Sequence, residues 1–387
     1  MRETPLNSMA IIWIAFASIV TDGLFVWPLH IVMAAGQNAD ITLMLTGLWG
    51  IAVALLNPAR ENQPALWQMI FRGLNILGVL GVVILDAVMV SELSGMLQTF
   101  YYFETPRWVL STPLLVASAS AAMRRGNVPW RVVALWVPIL AAGAVIILGI
   151  SFTTVHHLRP LEPNQVVQVI PVIRAAGVEA FIGLSVGVTL RMASSFAAEP
   201  PSWAWRLVSI EIPILFFILL YVVAMGSLGP EALIQVRWPL VFVLDHVTLD
   251  STFFLSRIGI MVILTWTIGM GMGFIVHLRL TQWVVSYRWP RTARWTPIPV
   301  TGWWWVGSLL ITSPHAATQI VLHWIDPVVP LYLGMELLIL AASRLFMKQP
   351  APKQRGTSSI TEPAGAGSVP QRSTSRSPTP TGSGSGS

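Results

Sequence analysis

Long apolar runs alternate with short polar segments from the start of the chain to about residue 346. The first run extends from Ser8 to about Ala35, the second from Ile41 to Leu56, and the third from Leu74 to about Thr99. The fourth covers Trp108 to Met123 and the fifth Val132 to Phe152. After a polar loop from Thr153 to Gln168, the sixth covers Val169 to Met192 and the seventh Trp205 to Met225. A mixed connector from Leu228 to Asp250 leads to the eighth, Phe253 to about Val285, then the ninth, Pro299 to Ser313, and the tenth, Val328 to Phe346. Roughly 20 apolar residues cover the hydrocarbon core of a bilayer as helix, and in lipid a helix satisfies its own backbone. The pattern predicts an all-α integral membrane protein of about ten transmembrane helices.

Two of these runs carry polar interruptions. The first holds Thr21-Asp22-Gly23-Leu24 at its centre, with Pro28 just beyond. The sixth holds Pro171, Arg174, Gly177 and Glu179 in its first half. Glycine costs helix stability, and proline removes a donor and clashes with the preceding turn. Runs one and six are the first of each half if spans one to five and six to ten are structural repeats. Discontinuous helices at matching places in two inverted halves mark a mid-membrane binding site. The expectation is therefore a five-plus-five inverted-repeat, amino-acid-transporter-like fold with helices 1 and 6 broken.

Composition agrees: 54% of residues are hydrophobic and 10% are charged, against about a quarter charged in soluble domains. The net charge of +6 is a topology signal. With the N-terminus inside, Lys and Arg collect on the cytoplasmic side, and the outside keeps only Arg107, Arg159 and Arg237. This follows the positive-inside rule, places both termini in the cytoplasm, and needs no nucleic-acid partner. No cleavable signal peptide is read at the start. Residues 1–347 are expected to form the transmembrane domain. Residues 348–387, rich in Ser, Pro and Gly, form an expected disordered cytoplasmic tail, because that composition buries no core.

Candidate chemistry is sparse. There is no cysteine, so disulfides and thiolate chemistry are excluded. No histidine pattern suggests a metal site, and no nucleophile elbow or acid pair suggests catalysis. No cofactor and no enzymatic activity are expected. Gly269, Gly271 and Gly273 lack the strand and Lys-Ser/Thr of a phosphate loop; Gly269 and Gly273 suit close helix packing instead. The Trp303-Trp304-Trp305 run suits an interfacial belt. Ionisable groups inside spans are costly and default to functional candidates. Asp22 either faces the ammonium end of a ligand, is held protonated, or only caps the break, while the N–H groups of Gly23 and Leu24 suit a carboxylate. Gly177 and Glu179 are the counterpart in span six. Asp86 and Glu92 in span three and Glu211 in span seven either line a polar cavity or pair with a neighbouring helix.

Several stretches together resemble the spore germination permeases, the membrane B subunits of germinant receptors within the amino acid/polyamine/organocation transporter superfamily. They are Pro28 with Ala34-Ala35-Gly36-Gln37-Asn38-Ala39, Thr105-Pro106, Arg125-Gly126 with Arg131, Leu158 to Pro163 followed by Glu179, and Trp238-Pro239 followed by Phe254, Arg257-Ile258 and Trp266. Asp40 stands where that family tends to have tryptophan, and Ser256 and Gly259 where it has carboxylates. The resemblance implies the ten-helix fold, structural roles for Pro28, Arg257 and Trp266, and residence in the spore inner membrane or bacterial cytoplasmic membrane. It also implies sensing of a small, amino-acid-like germinant in a complex with A and C subunits. The alternative on the same fold is a proton-coupled amino acid transporter.

Overall fold

The computed structural model describes residues 6–23, 38–56, 64–154, 169–197, 202–245, 258–311, 313–320 and 326–346. The helices are α1 (Ser8–Gly23), α2 (Ala39–Leu56), α3 (Ala65–Phe100), α4 (Arg107–Ala122), α5 (Val128–Thr154) and α6 (Val169–Ser195). They continue with α7 (Trp203–Leu233), α8 (Pro239–Asp245), α9 (Ile258–Val285), α10 (Pro297–Leu310), α11 (Pro314–Ile320) and α12 (Asp326–Phe346). Ten of them match the ten expected spans, with α8 and α11 as short additions in the connectors. Five described helices are long and apolar enough to cross a membrane, and Ser8–Thr21 and Met44–Val53 are shorter apolar helices.

Prolines set several boundaries. Pro64 and Pro106 sit in extended backbone immediately before α3 and α4, and Pro297 opens α10, where a missing N–H costs nothing. α3 begins nine residues earlier than its apolar core; its 36 residues span about 54 Å at 1.5 Å per residue, so it projects beyond the hydrocarbon. α7 kinks at Gly229, whose φ of 74° and ψ of 165° belong to a region open essentially only to glycine. That kink is where the polar connector was expected to start.

Helix contacts reveal the repeat. Exchanging α1 with α6, α2 with α7, α3 with α9, α4 with α10 and α5 with α12 maps each substantial contact among these ten helices onto another. Thus α1–α5 corresponds to α6–α12, α1–α9 to α6–α3, α1–α7 to α6–α2, α3–α4 to α9–α10, and α5–α7 to α12–α2. The pairs α1–α6, α2–α7, α3–α9 and α4–α10 map onto themselves or their own images. No internal sequence identity reports this symmetry; packing alone carries it.

Burial follows the same frame. α1 is buried nearly all round, from Ala10 to Thr21, as a central helix must be. The peripheral α12 exposes Leu331, Leu338 and Leu345 in one stripe and buries Tyr332, Leu333, Glu336 and Leu340 opposite. Trp303 is exposed but Trp304 is fully buried, with its Nε1–H donating to the Val83 carbonyl at 2.9 Å. The reading of that tryptophan run as an interfacial belt is corrected at Trp304, because helical periodicity turns successive residues to different faces.

The two expected breaks fare differently. α1 ends at Gly23, while Leu24 and Pro28 lie outside the described residues. In α6 the helix passes through Gly177 and Glu179 to Ser195, so the interruption expected there is corrected. A lone glycine costs a helix only about 1 kcal/mol against alanine, and α6 packs against α1, α2, α3, α9 and α12.

Candidate functional site

Where α1, α3, α6 and α9 meet, four polar side chains form one hydrogen-bonded chain. Asp86 of α3 sets both carboxylate oxygens on His277 Nδ1, at 2.9 and 3.0 Å. His277 Nε2 lies 2.9 Å from Ser18 Oγ on α1, and Ser18 Oγ lies 3.0 Å from Thr189 Oγ1 on α6. All four residues are fully buried. Burying polar groups is tolerated when each finds partners, and here each partner comes from a different helix.

The chemistry of the donors defines two states. An ionised carboxylate only accepts, so Nδ1 carries a proton toward Asp86. With a neutral ring, Nε2 accepts from the Ser18 hydroxyl, and Thr189 donates to Ser18. With a charged ring, Nε2 donates to Ser18, and Ser18 donates to Thr189. With Asp86 ionised, one proton on His277 thus reverses hydrogen-bond direction from α9 through α1 to α6.

Close by, α1 and α9 cross in close backbone contact at Gly273. Thr21, fully buried, donates from Oγ1 to the Ala17 carbonyl at 2.8 Å. A Cβ on Gly273 would fall onto Thr21 Oγ1 and crowd the Ala17 carbonyl, so only glycine admits this crossing. Gly269, expected to share the packing role, faces open space instead. It lines a small apolar cleft with Phe16, Ala17 and Val20 of α1, Ala144 of α5, Phe216 of α7 and Trp266 of α9. Trp266, whose expected role was structural, is therefore also a wall of that cleft.

Two ion pairs lie toward opposite ends of the bundle. Toward the end where α3 finishes, Arg237 grips Glu92 through Nε (3.2 Å) and Nη2 (2.8 Å), and Trp238 Nε1 donates to the same carboxylate at 3.1 Å. Toward the end where α6 finishes, Arg191 donates to Glu336 of α12 at 2.5 Å and to Asn75 of α3 at 2.7 Å. Gly187 makes room for that pair, since a Cβ there would strike the Glu336 carboxylate.

The expected site residues thus separate. Asp86 joins the central chain. Glu92 belongs to the ion pair with Arg237. Glu211 sits between α2 and α7, beside Gly47, and its buried Oε1 has no hydrogen-bond partner among the described residues. Asp86 and Glu92 each pair with a side chain from another element, while Glu211 looks toward α2. The backbones of Asp22, Gly177 and Glu179 are helical, and their side chains, like Arg257, lie outside what is described. Ser18, Thr189, His277, Arg191 and Glu336 were not singled out from the sequence. His277 and Glu336 carry a usable signal, as ionisable residues within apolar spans, which a reading of histidine only as a metal ligand passes over. Among the described residues, no three His, Asp or Glu gather to hold a metal.

Solved structures share this architecture. MhsT in complex with L-phenylalanine superposes with a TM-score of 0.66 at 12% identity, covering 90% of this chain and 91% of MhsT. Mhp1, a nucleobase-cation-symport-1 family transporter in a closed conformation with bromovinylhydantoin bound, gives 0.51 at 14% identity over 87% and 77%. At such identities the likeness establishes the fold: a multi-pass, amino-acid-transporter-like helical bundle. No curated protein matches the chain. The family model for spore germination proteins, Spore_permease, matches residues 6–287, and the chain belongs to that family.

Proposed function

We propose that the protein is the membrane subunit of a germinant receptor, binding a small amino-acid-like germinant at mid-membrane between α1 and α6 and signalling through A and C partner subunits. The observation that carries this reading is the Ser18–Thr189 contact, tied through His277 to Asp86. α1 and α6 cannot shift against each other without rearranging that chain, so a ligand that changes their spacing has a buried two-state element to act on. The small apolar cleft beside Phe16, Val20 and Trp266 gives the α1 side of that site an apolar surface. The end of α1 at Thr21-Asp22-Gly23, with Leu24 next, and the Gly177–Glu179 stretch of α6 are the segments assigned to its charged groups. In this reading both termini are cytoplasmic, residues 1–347 form the membrane domain, residues 348–387 form a disordered tail, and the membrane is the spore inner membrane or the cytoplasmic membrane.

A second reading is a proton-coupled amino acid transporter. It is favoured by the ionisable Asp86–His277 pair on the α1–α6 contact and by the named transporters that share the fold. Reconstitution into proteoliposomes with a pH gradient and labelled amino acids separates the two. Saturable binding without accumulation is expected of the receptor; gradient-driven accumulation would replace it with the transporter. In the receptor, Asp22→Asn is expected to weaken binding and alter its pH dependence, and an unchanged response would remove Asp22 from the site.

A further inference from the structure

At the end of the bundle where α4, α6 and α9 finish, an open pocket of about 620 Å³ is lined by Arg124, Arg125, Arg279 and Arg294. The other lining side chains include Gln282, Trp283 and Ser286, and no acid is among them. Its frame is tied together. Arg279 Nη2 donates to the Gly126 carbonyl at 2.8 Å, and its Nη1 donates to Gln282 Oε1 at 3.0 Å. Its guanidinium also rests 5.4 Å from the Trp130 ring centre. Gln282 Nε2 in turn donates to the Arg294 carbonyl at 3.2 Å. Gly126 turns the α4–α5 connection with a φ of 65°, so the loop bearing Arg124 and Arg125 is held in one course against α9. The three-residue turn bearing Arg294 is held from the other side.

We propose that this pocket binds the phosphate of an anionic phospholipid headgroup. Excess positive charge on one face follows from topology alone, but topology does not require four arginines around one concavity on a hydrogen-bonded frame. Arginine matches phosphate oxygens with paired donors. The surrounding side chains place the pocket at headgroup depth: Trp289 and Trp295 are both exposed nearby, with Arg294 over the Trp295 ring at 5.6 Å, and exposed tryptophan marks the membrane–water interface. Basic pockets between membrane helices hold such headgroups.

The test uses the full-length protein in neutral detergent, titrated with phosphatidylglycerol or phosphatidylcholine, with retained lipid read by native mass spectrometry. Preferential retention of phosphatidylglycerol, weakened by salt, is expected. Each arginine near an anionic lipid contributes roughly fivefold in affinity, so R124A/R125A is expected to lose roughly 25-fold. R288A/R291A removes two exposed cations just outside the pocket and is expected to lose less than about threefold, by the same scale applied to screened charges. Equal losses in the two double variants would show diffuse surface charge and overturn the site. Equal retention of both lipids by the unaltered protein would also overturn it, as expected if an acidic partner segment is the true occupant. Inorganic phosphate displacing the lipid at millimolar concentration would show a free-anion site and overturn the lipid assignment. R294Q is measured alongside, so that poor folding of R124A/R125A, seen by helix content, leaves an independent readout.

Discussion

The Asp86–His277 contact makes a quantitative demand on stability. Both side chains are fully buried, and both carboxylate oxygens lie within 3.0 Å of Nδ1. Replacing His277 by alanine leaves the carboxylate buried with no partner from α9. Breaking a buried ionic pair from one side costs about 3–5 kcal/mol. Replacing Asp86 by alanine strands the ring similarly, with a smaller penalty of about 1–3 kcal/mol if the imidazole is neutral. The double variant Asp86→Ala/His277→Leu removes both polar groups and roughly keeps the volume, and such replacements fall between neutral and about 4 kcal/mol stabilising. Ser18 and Thr189 still satisfy each other across α1 and α6. The singles should therefore be destabilised and the double close to the unaltered protein, giving a coupling of about 3 kcal/mol or more; contacting pairs commonly reach 0.5–3 kcal/mol. Equilibrium unfolding in dodecylmaltoside titrated with SDS measures this, followed by far-UV circular dichroism and by fluorescence of the 18 tryptophans. If both singles cost under about 1 kcal/mol and add in the double, within the usual additivity of distant sites, the four-residue chain is not a unit of the folded protein and the reasoning built on it falls.

Three further outcomes follow from packing and domain limits. Gly187→Ala is expected to destabilise by about 1–3 kcal/mol, despite an alanine's helix preference of about 1 kcal/mol, because it forces Glu336 off Arg191; Gly143→Ala, with nothing within 4 Å of the new methyl, should be neutral or stabilising in the same SDS titration. Gly273→Ala is expected to cost about 1–3 kcal/mol by overpacking Thr21 and to weaken ligand binding through α1; normal unfolding and binding curves would contradict the close crossing. Ending the chain after Lys348 is expected to leave insertion and helix content intact, checked by membrane fractionation and circular dichroism.

Apolar length located the ten span helices well, because a bilayer punishes unsatisfied backbone so heavily that span-length runs have few other fates. The pairing of halves was visible only as matching interruptions, and one of those, at Gly177, proves helical. Local sequence overstated that break because a glycine's cost is small beside the contacts α6 makes with five neighbours. The site was less readable than the fold. Asp86 stood out as an acid in an apolar span, yet its partner is 191 residues away, and no pattern in one sequence measures that distance. Ser18 and Thr189 were invisible for another reason: short hydroxyl side chains are common in membrane helices, where they bond to their own backbone, as Thr21 and Ser151 do here. Only the convergence of helices tells the two uses apart.

The repeat explains where the chemistry sits. Helices α1 and α6 are images of each other, and so are α3 and α9; each pair meets its own image near the pseudo-symmetry axis of the bundle. An axis position is one of the few places where four helices come within side-chain reach without a loop entering the core. This chain fills it with four different residues, Ser18, Thr189, Asp86 and His277, so the frame is symmetric while the chemistry is not. The same holds for the flanking ion pairs: Glu92–Arg237 joins α3 to the α7–α8 connector, whereas Arg191–Glu336 joins α6 to α12. Two inverted repeats with identical contacts would weight their two exchanged arrangements equally. Unequal ion pairs lift that equality, and a ligand shifts the balance only by its differential affinity for the two arrangements. In the proposed receptor, both Arg191–Glu336 and Glu92–Arg237 are formed in the arrangement described here, so weakening either is expected to disfavour that arrangement and to move ligand affinity in the same direction. Lost stability with unchanged affinity in both variants would mean that the pairs hold the bundle together without choosing between its states.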